Sequence, residues 1–500
     1  MEKDGITATR TRTNSVSKHP QDDDALRLAQ MGHQQELERS YSLFALGALC
    51  VCLMATWEAL STVIATALIS GGAPCLFYNL LLSTFSTICI ACSLGEIASI
   101  YPTAGGWISI GGQIVLTSSA AFAAGLQTQS LIIINSDSYI PQRWQGMLFY
   151  WAILTYALVM NIWGHRLLPT TNTISGILHV AGFVSILIVL GVMAPKNSAS
   201  FVFTEFTNSS GWSSDGVSWL VGLLSAVYPY LGYDAACHLA EEMPNASRNV
   251  PLAMVGSVSV NGLMGLIYAT VLLFSTGPLE SLLQTPTGFP FMQIFLDVTK
   301  SRAGATVMSV VIISIAIAAS VAGVTSTSRT LWAFARDKST PFDRHLSKVN
   351  KSLQIPVHAV VLVTVLQMLL GFIYLGNTTA FNAILSMAII GMYSSYALPI
   401  IQMMWARGRI IGSNDYGPFK LGPIFGPVAN VISLIWITVV IIFSVFPSSM
   451  PVIPQSMNYS IVVMTGWVLF GIVYYIFYGR YKFEVAAITD VLDGVPGSRA

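Results

Sequence analysis

A chain of 500 residues with 54% hydrophobic and only 9% charged residues cannot be an array of soluble domains, because globular chains carry roughly 25% charged residues. Its net charge of +1 offers no basic surface to a nucleic acid, and its mean hydropathy of +0.66 puts most of the chain against lipid or other apolar helices. Where the few charges fall therefore matters more than their sum.

Residues 1–40 are polar, rich in Thr, Ser, Asp and Arg, and lack an apolar h-region. They read as a disordered cytoplasmic tail without a cleavable signal peptide, so the first membrane helix acts as the signal. Apolar runs able to cross a bilayer as helices of ~20 residues follow. They lie near 42–69, 75–100, 107–134, 147–164, 172–194, 217–240, 252–275, 304–330, 357–376, 380–404, 425–446 and 459–479. The pattern predicts an all-α polytopic membrane protein of about twelve spans, numbered 1 to 12 below. With the N-terminus inside, cytoplasmic segments hold 20 of the 24 Lys and Arg, leaving Arg143, Lys196, Lys300 and Arg302 outside. Both termini are expected in the cytoplasm. Three sequons fall on outer loops, at Asn208, Asn377 and Asn458, and are candidate glycosylation sites. The six cysteines lie in or beside apolar segments and read as small core residues. No Cys/His cluster has metal-ligand spacing and no nucleophile–base pair sits at the midplane, so neither an enzyme nor a metal or cofactor is expected.

Two spans are interrupted. Span 1 carries Thr56, Trp57, Glu58 and Ala59 in its middle, and span 6 carries Tyr228, Pro229, Tyr230, Gly232, Tyr233 and Asp234. Lipid tolerates freed backbone groups only beside protein or a water-filled cavity, so paired interruptions in two halves point to a midplane binding site. A mid-span carboxylate costs about 2.5–3.5 kcal/mol to insert. Glu58 is therefore expected to serve as counter-ion to a substrate amine or as a proton carrier, or else as a neutral, hydrogen-bonded structural group. The aromatics at both breaks suit an alkylammonium group. Asp234 either joins this pocket or caps the resumed helix. His179, within span 5, is a candidate for proton coupling or a plain hydrogen-bond partner. Thr325 and Ser326, in a hydroxyl-rich run on span 8, are candidate cation ligands, although such hydroxyls also bond back to their own helix. Glu96, Glu241 and Glu242 stand at cytoplasmic helix ends, where ion pairs with Arg248 or Arg329 would close an inner gate.

Several stretches resemble the fungal branch of the amino acid–polyamine–organocation permeases, which contains GABA and choline transporters. They are Ser93 to Ser99 with Tyr101 to Gly106, Gly232-Tyr233-Asp234 through His238 to Glu242 and Ser247 to Pro251, and Thr327-Ser328-Arg329 with Trp332 to Asp337. The Trp57-Glu58 pair and the segment Gly72 to Tyr78 look most like the choline-transporter subgroup. The resemblance implies a LeuT-type fold, with inverted five-helix repeats at 41–195 and 216–404, two extra helices within 425–480 and a tail at 481–500. It also implies substrate held at the breaks in spans 1 and 6. One departure is that Gly106 runs directly into Trp107, leaving almost no link between spans 2 and 3.

The reading that follows is a secondary active transporter of a small amine-bearing solute, working by alternating access. Choline or a related cation is favoured, with a GABA or amino acid permease as the alternative. The resemblance implies a coupling proton, and membrane lipid is the other partner. A non-transporting nutrient sensor would usually carry a long structured cytoplasmic extension, which these tails do not suggest. The plasma membrane is the expected residence, with the vacuolar membrane also compatible.

Overall fold

The computed structural model describes residues 41–101, 106–376, 380–409, 411, 416–453 and 457–482. Residues 1–40 and 483–500, the Pro102 to Gly105 motif and the Asn377 sequon lie outside these residues. Among the described residues the regular elements are helices, and the β pairs Asn350–Ile355 and Arg407–Ile411 are isolated bridges.

Ten helical stretches are long and apolar enough to cross a membrane. The first, Leu43–Ile100, has 58 residues. At 1.5 Å per residue it would extend about 87 Å if straight, almost three times the ~30 Å hydrocarbon core. It doubles back instead. Gly72, at φ 73° and ψ −160°, is non-helical, and a Cβ there would stand 2.7 Å from Thr207 Oγ1. Thr56 and Thr84 both abut span 7, against Gly265 and Gly262, one helical turn apart. The loop expected between 69 and 75 is thus a sharp turn at Gly72. Span 1 ends there and span 2 begins.

The next crossings are Trp107–Asn135, Arg143–Ile162 and Leu168–Met193 for spans 3 to 5. Span 6 is absent from the ten because it is fragmented. It runs through Asp215–Val221, Leu223–Val227, the 3₁₀ turn Tyr228–Tyr230, Ala235–His238 and the 3₁₀ turn Ala240–Glu242. Spans 7 and 8 are Ala246–Phe274 and Arg302–Arg336. Span 9 is Val357–Leu370 with the short Ile373–Gly376, and Ala380–Ala406, Gly422–Ser444 and Ser460–Phe477 complete the set. Twelve crossings result among the described residues, and the molecule is an all-α polytopic membrane protein. The link from span 7 to span 8 contains an unexpected helix, Pro290–Thr299, which buries Phe291, Phe295 and Val298.

Lipid tails are as apolar as the helices, so association depends on close backbone approach and interhelical hydrogen bonds. Span 3 illustrates both. A Cβ on Gly391 of span 10 would lie 2.6 Å from the Gly112 Cα, and one on Gly125 would lie 2.8 Å from the Tyr150 amide nitrogen of span 4. At its start, Trp107 stacks on Trp467 of span 12 with ring centroids 4.5 Å apart. Each indole N–H donates to the other's carbonyl at 2.9 Å. Gly111 and Gly471 form the notches that receive the two rings. A Cβ on Gly471 would stand 2.3 Å from Trp107 Nε1, and overpacking of this kind costs roughly 1–3 kcal/mol. Gly471→Val should therefore lower the thermal midpoint of detergent-purified protein by several degrees, while Gly466→Val, at a position with open space around it, should leave it unchanged.

Candidate functional site

The break in span 1 is a single residue. Ala55, at φ 43° and ψ 50°, separates Leu43–Met54 from the helix that resumes at Thr56. A non-glycine residue held there stores about 1–3 kcal/mol, so its surroundings must impose the conformation. Two contacts do so. The Ala55 amide donates to the Val51 carbonyl at 2.9 Å, and Thr56 Oγ1 donates to the Pro229 carbonyl at 2.8 Å. In span 6, Leu231 is extended and Gly232 takes φ 107°. A Cβ on Gly232 would lie 2.9 Å from Leu53 Cγ. The two breaks are in contact.

Glu58, third residue of the resumed helix, is 2% exposed. Its Oε1 lies 2.8 Å from Nδ1 of His179, which is fully buried in span 5. Sequence reading singled out both residues without pairing them. Glu58 Oε2 and His179 Nε2 are buried without a hydrogen-bond partner among the described residues. Glu58 and Ala59 line a cavity of about 40 Å³ beside both breaks. Its other walls are Leu53, Met54, Ala55 and Thr62 of span 1, Leu116, Ala120 and Ala123 of span 3, Tyr228 and Leu231 of span 6, and Ile312, Ala316 and Ala319 of span 8. The span 3 and span 8 walls escaped sequence reading, although each follows an i, i+4, i+7 stripe that marks one helix face.

The aromatics are more dispersed than expected. Tyr228 lines the cavity, its hydroxyl 2.7 Å from Ser119 Oγ. Trp57 packs instead against His179, Phe183 and Tyr268, at centroid distances of 5.9, 6.1 and 5.1 Å. Tyr230 places its hydroxyl 2.5 Å from Thr84 Oγ1, and Tyr233 packs on Tyr396. Asp234 makes no helix-capping bond. It accepts from the Tyr396 hydroxyl at 2.8 Å and lies 2.9 Å from His238 Nε2. On span 8, Thr325 donates to Asn161 Oδ1 and to the Val321 carbonyl, and Ser326 is buried with its carbonyl accepting from Thr330.

At one end of the bundle the acidic residues are paired. Glu242 accepts from Arg329 Nε at 2.8 Å, and both are buried. Glu241 meets Arg336 through both carboxylate oxygens, at 2.7 and 3.0 Å. Glu96 pairs with Arg407 and also accepts from the Leu421 amide. Arg248, an expected partner, is exposed and forms no ion pair among the described residues. A vestibule of about 310 Å³ adjoins Glu242 and Arg329 at this end. Another, of about 420 Å³, includes Thr62, Thr66, Ser130 and Phe289. Thr62 belongs to this second vestibule and to the small central cavity alike. Of the sequons, Asn208 commits its amide N–H groups to the Trp212 carbonyl and Asp215, and Asn458 donates to the carbonyls of Ser444 and Phe446.

Residues 41–469 match the amino acid permease family. The choline transporter of Saccharomyces cerevisiae is 28% identical over 472 residues, covering 90% of this chain and 83% of that protein. An uncharacterized amino-acid permease of Schizosaccharomyces pombe is 30% identical over 91% of this chain and 88% of its own length. The amino-acid permease BAT1 of Arabidopsis thaliana is 27% identical over 94% of this chain and 97% of its own length.

Truncating one member of a buried ion pair strands the other charge, at roughly 3–5 kcal/mol. Arg329→Ala should sharply depress the melting midpoint, and combining it with Glu242→Gln should recover part of the loss. Beyond the end of span 8, burial lifts the Asp337 carboxyl to about 6 from the usual 3.8, against the pull of Arg336, and Glu241 adds to the rise. A carboxyl raised on folding destabilises when ionised, and that penalty fades as pH falls through 6 toward 3.8. Asp337→Asn should therefore raise the midpoint at neutral pH and leave it unchanged near about pH 4.

Proposed function

The chain belongs to the amino acid permease family, and from that membership we propose that it is a secondary active transporter of a small amine-bearing solute, choline or a related cation being favoured. The observation that carries this reading is Glu58 Oε2, a buried and unpartnered carboxylate oxygen on a residue of the cavity wall at the meeting of two helix breaks. The rest of the wall is largely aliphatic, with Tyr228 as its aromatic member. Such a wall suits the methyl groups of an alkylammonium ion, and the carboxylate balances its charge.

The cavity of about 40 Å³ has room for only a few waters at 10–15 Å³ each, so a solute requires the helices to part. With the N-terminus cytoplasmic, the vestibule that shares Thr62 with the cavity opens outward. The Glu242–Arg329, Glu241–Arg336 and Glu96–Arg407 pairs then close the inner side. Alternating access follows when the repeats at 41–195 and 216–404 rock against each other and break these pairs. A zwitterionic solute such as GABA is the second reading. It is favoured by the start of the resumed helix at Thr56, which has no side-chain cap and leaves amide donors for a carboxylate. The plasma membrane is the proposed location.

Expression in yeast lacking its own choline and GABA permeases, with labelled uptake of each solute, tests the assignment. Choline uptake should fall more than roughly tenfold in Glu58→Gln, as expected when a desolvated charge loses its partner, with protein still at the surface. Undiminished choline uptake in that variant would sink the counter-ion role. Uptake of GABA alone would transfer the assignment to the zwitterion.

A further inference from the structure

Glu58 and His179 are the two members of an isolated buried pair. Among the described residues neither makes another ion pair. The titratable side chains within electrostatic range of Glu58 besides His179 include Cys52 of its own span and Tyr268 of span 7, whose hydroxyl accepts from Ser61 and makes no hydrogen bond to the pair among the described residues. Glu58 lines the cavity and His179 does not. The carboxylate thus stands between the imidazole and the space a solute would occupy, with Oε1 on the ring and Oε2 unpartnered.

A carboxylate in this setting accommodates one positive partner. With an imidazolium on Oε1 the pair is neutral. An organic cation arriving at Glu58 would leave a net positive charge in a poorly solvated core, which is strongly unfavourable unless one partner gives up its charge. Choline has no proton to lose, whereas the imidazolium does. We propose that the Glu58–His179 pair couples transport by exchange, in which a bound organic cation displaces one proton from His179. The inference rests on the reading of Glu58 as substrate counter-ion and assigns the coupling ion to that site. The Nε2–H bond breaks and its proton passes to water that reaches the far edge of the ring as the helices part, while Nδ1–H continues to donate to Oε1. No electrons are transferred. A zwitterion brings its own carboxylate, so the imidazolium keeps its proton. The pair therefore distinguishes solute classes by charge, releasing a proton for a cation and none for a zwitterion.

The wild-type protein tests this directly in liposomes with a weakly buffered lumen containing a pH-sensitive dye and with the membrane potential clamped. Choline entry should alkalinise the lumen, one proton leaving for each choline, while GABA entry should not. In His179→Gln the proton count per choline should fall to zero. Acidification of the lumen with choline, or a steady pH, would overturn exchange. If neither choline nor GABA moves, the transport reading has failed, and the pair is judged separately by ¹⁵N-imidazole resonance of His179. An imidazolium in the wild type that becomes neutral in Glu58→Gln upholds the pair as proton holder. The same charge state in both proteins refutes it.

Discussion

Thr56 donates its hydroxyl to the Pro229 carbonyl, where span 6 leaves its helix, and much of the central architecture depends on that bond. A bilayer offers no water to a freed peptide group, so an interrupted helix survives only where another element supplies the missing partner. Here one break supplies the other. Ala55 holds a left-handed conformation that an alanine resists, Gly232 approaches Leu53 at a distance that permits no Cβ, and Asn261 of span 7 donates to the Val51 carbonyl just before the first break. Glu58 enters the core because the helix restarts two residues before it. A continuous span 1 would need no such neighbours and would place Glu58 without reference to span 6.

The charged groups follow a second rule, which is separation. At one end three carboxylates meet three arginines, each pair joining two different spans, and the contacts cross the bundle from span 6 to span 8 and from span 2 to the end of span 10. At the breaks the carboxylates instead meet histidines, Glu58 with His179 and Asp234 with His238. Breaking the terminal pairs would release spans 6 and 8 from each other without disturbing the central carboxylate. Under the proposed function, gating and recognition would fall to different charges, and each could change while the other holds.

Much of this was legible in the sequence, and the rest was hidden for definable reasons. Span count, the two breaks and the burial of Glu58 inside protein follow from local composition, because a bilayer punishes a misplaced charge or missing amide wherever the span packs. Partner choice does not. His179 lies 121 residues from Glu58, and nothing in either segment states that their helix faces meet. Arg248 follows the acidic pair closely in sequence, but Arg329 and Arg336, two helical turns apart on one face of span 8, receive the two adjacent glutamates. The aromatics at the breaks misled for a related reason. Irregular backbone has no fixed side-chain period, so Tyr228, Tyr230 and Tyr233 reach Ser119, Thr84 and Tyr396 respectively.

The 121-residue separation of Glu58 and His179 also has a meaning in time. A ribosome adds about 5–20 residues per second, so roughly 6–24 s pass between synthesis of the carboxylate and of the imidazole that will accept it. Before that interval ends, spans 1 and 2 have been made as a helical hairpin turned at Gly72, carrying an acid with no histidine to meet. The nascent chain must hold the Glu58 carboxyl beside water or against the insertion machinery until span 5 arrives. Biogenesis, rather than the finished fold, is where this residue is most exposed to error.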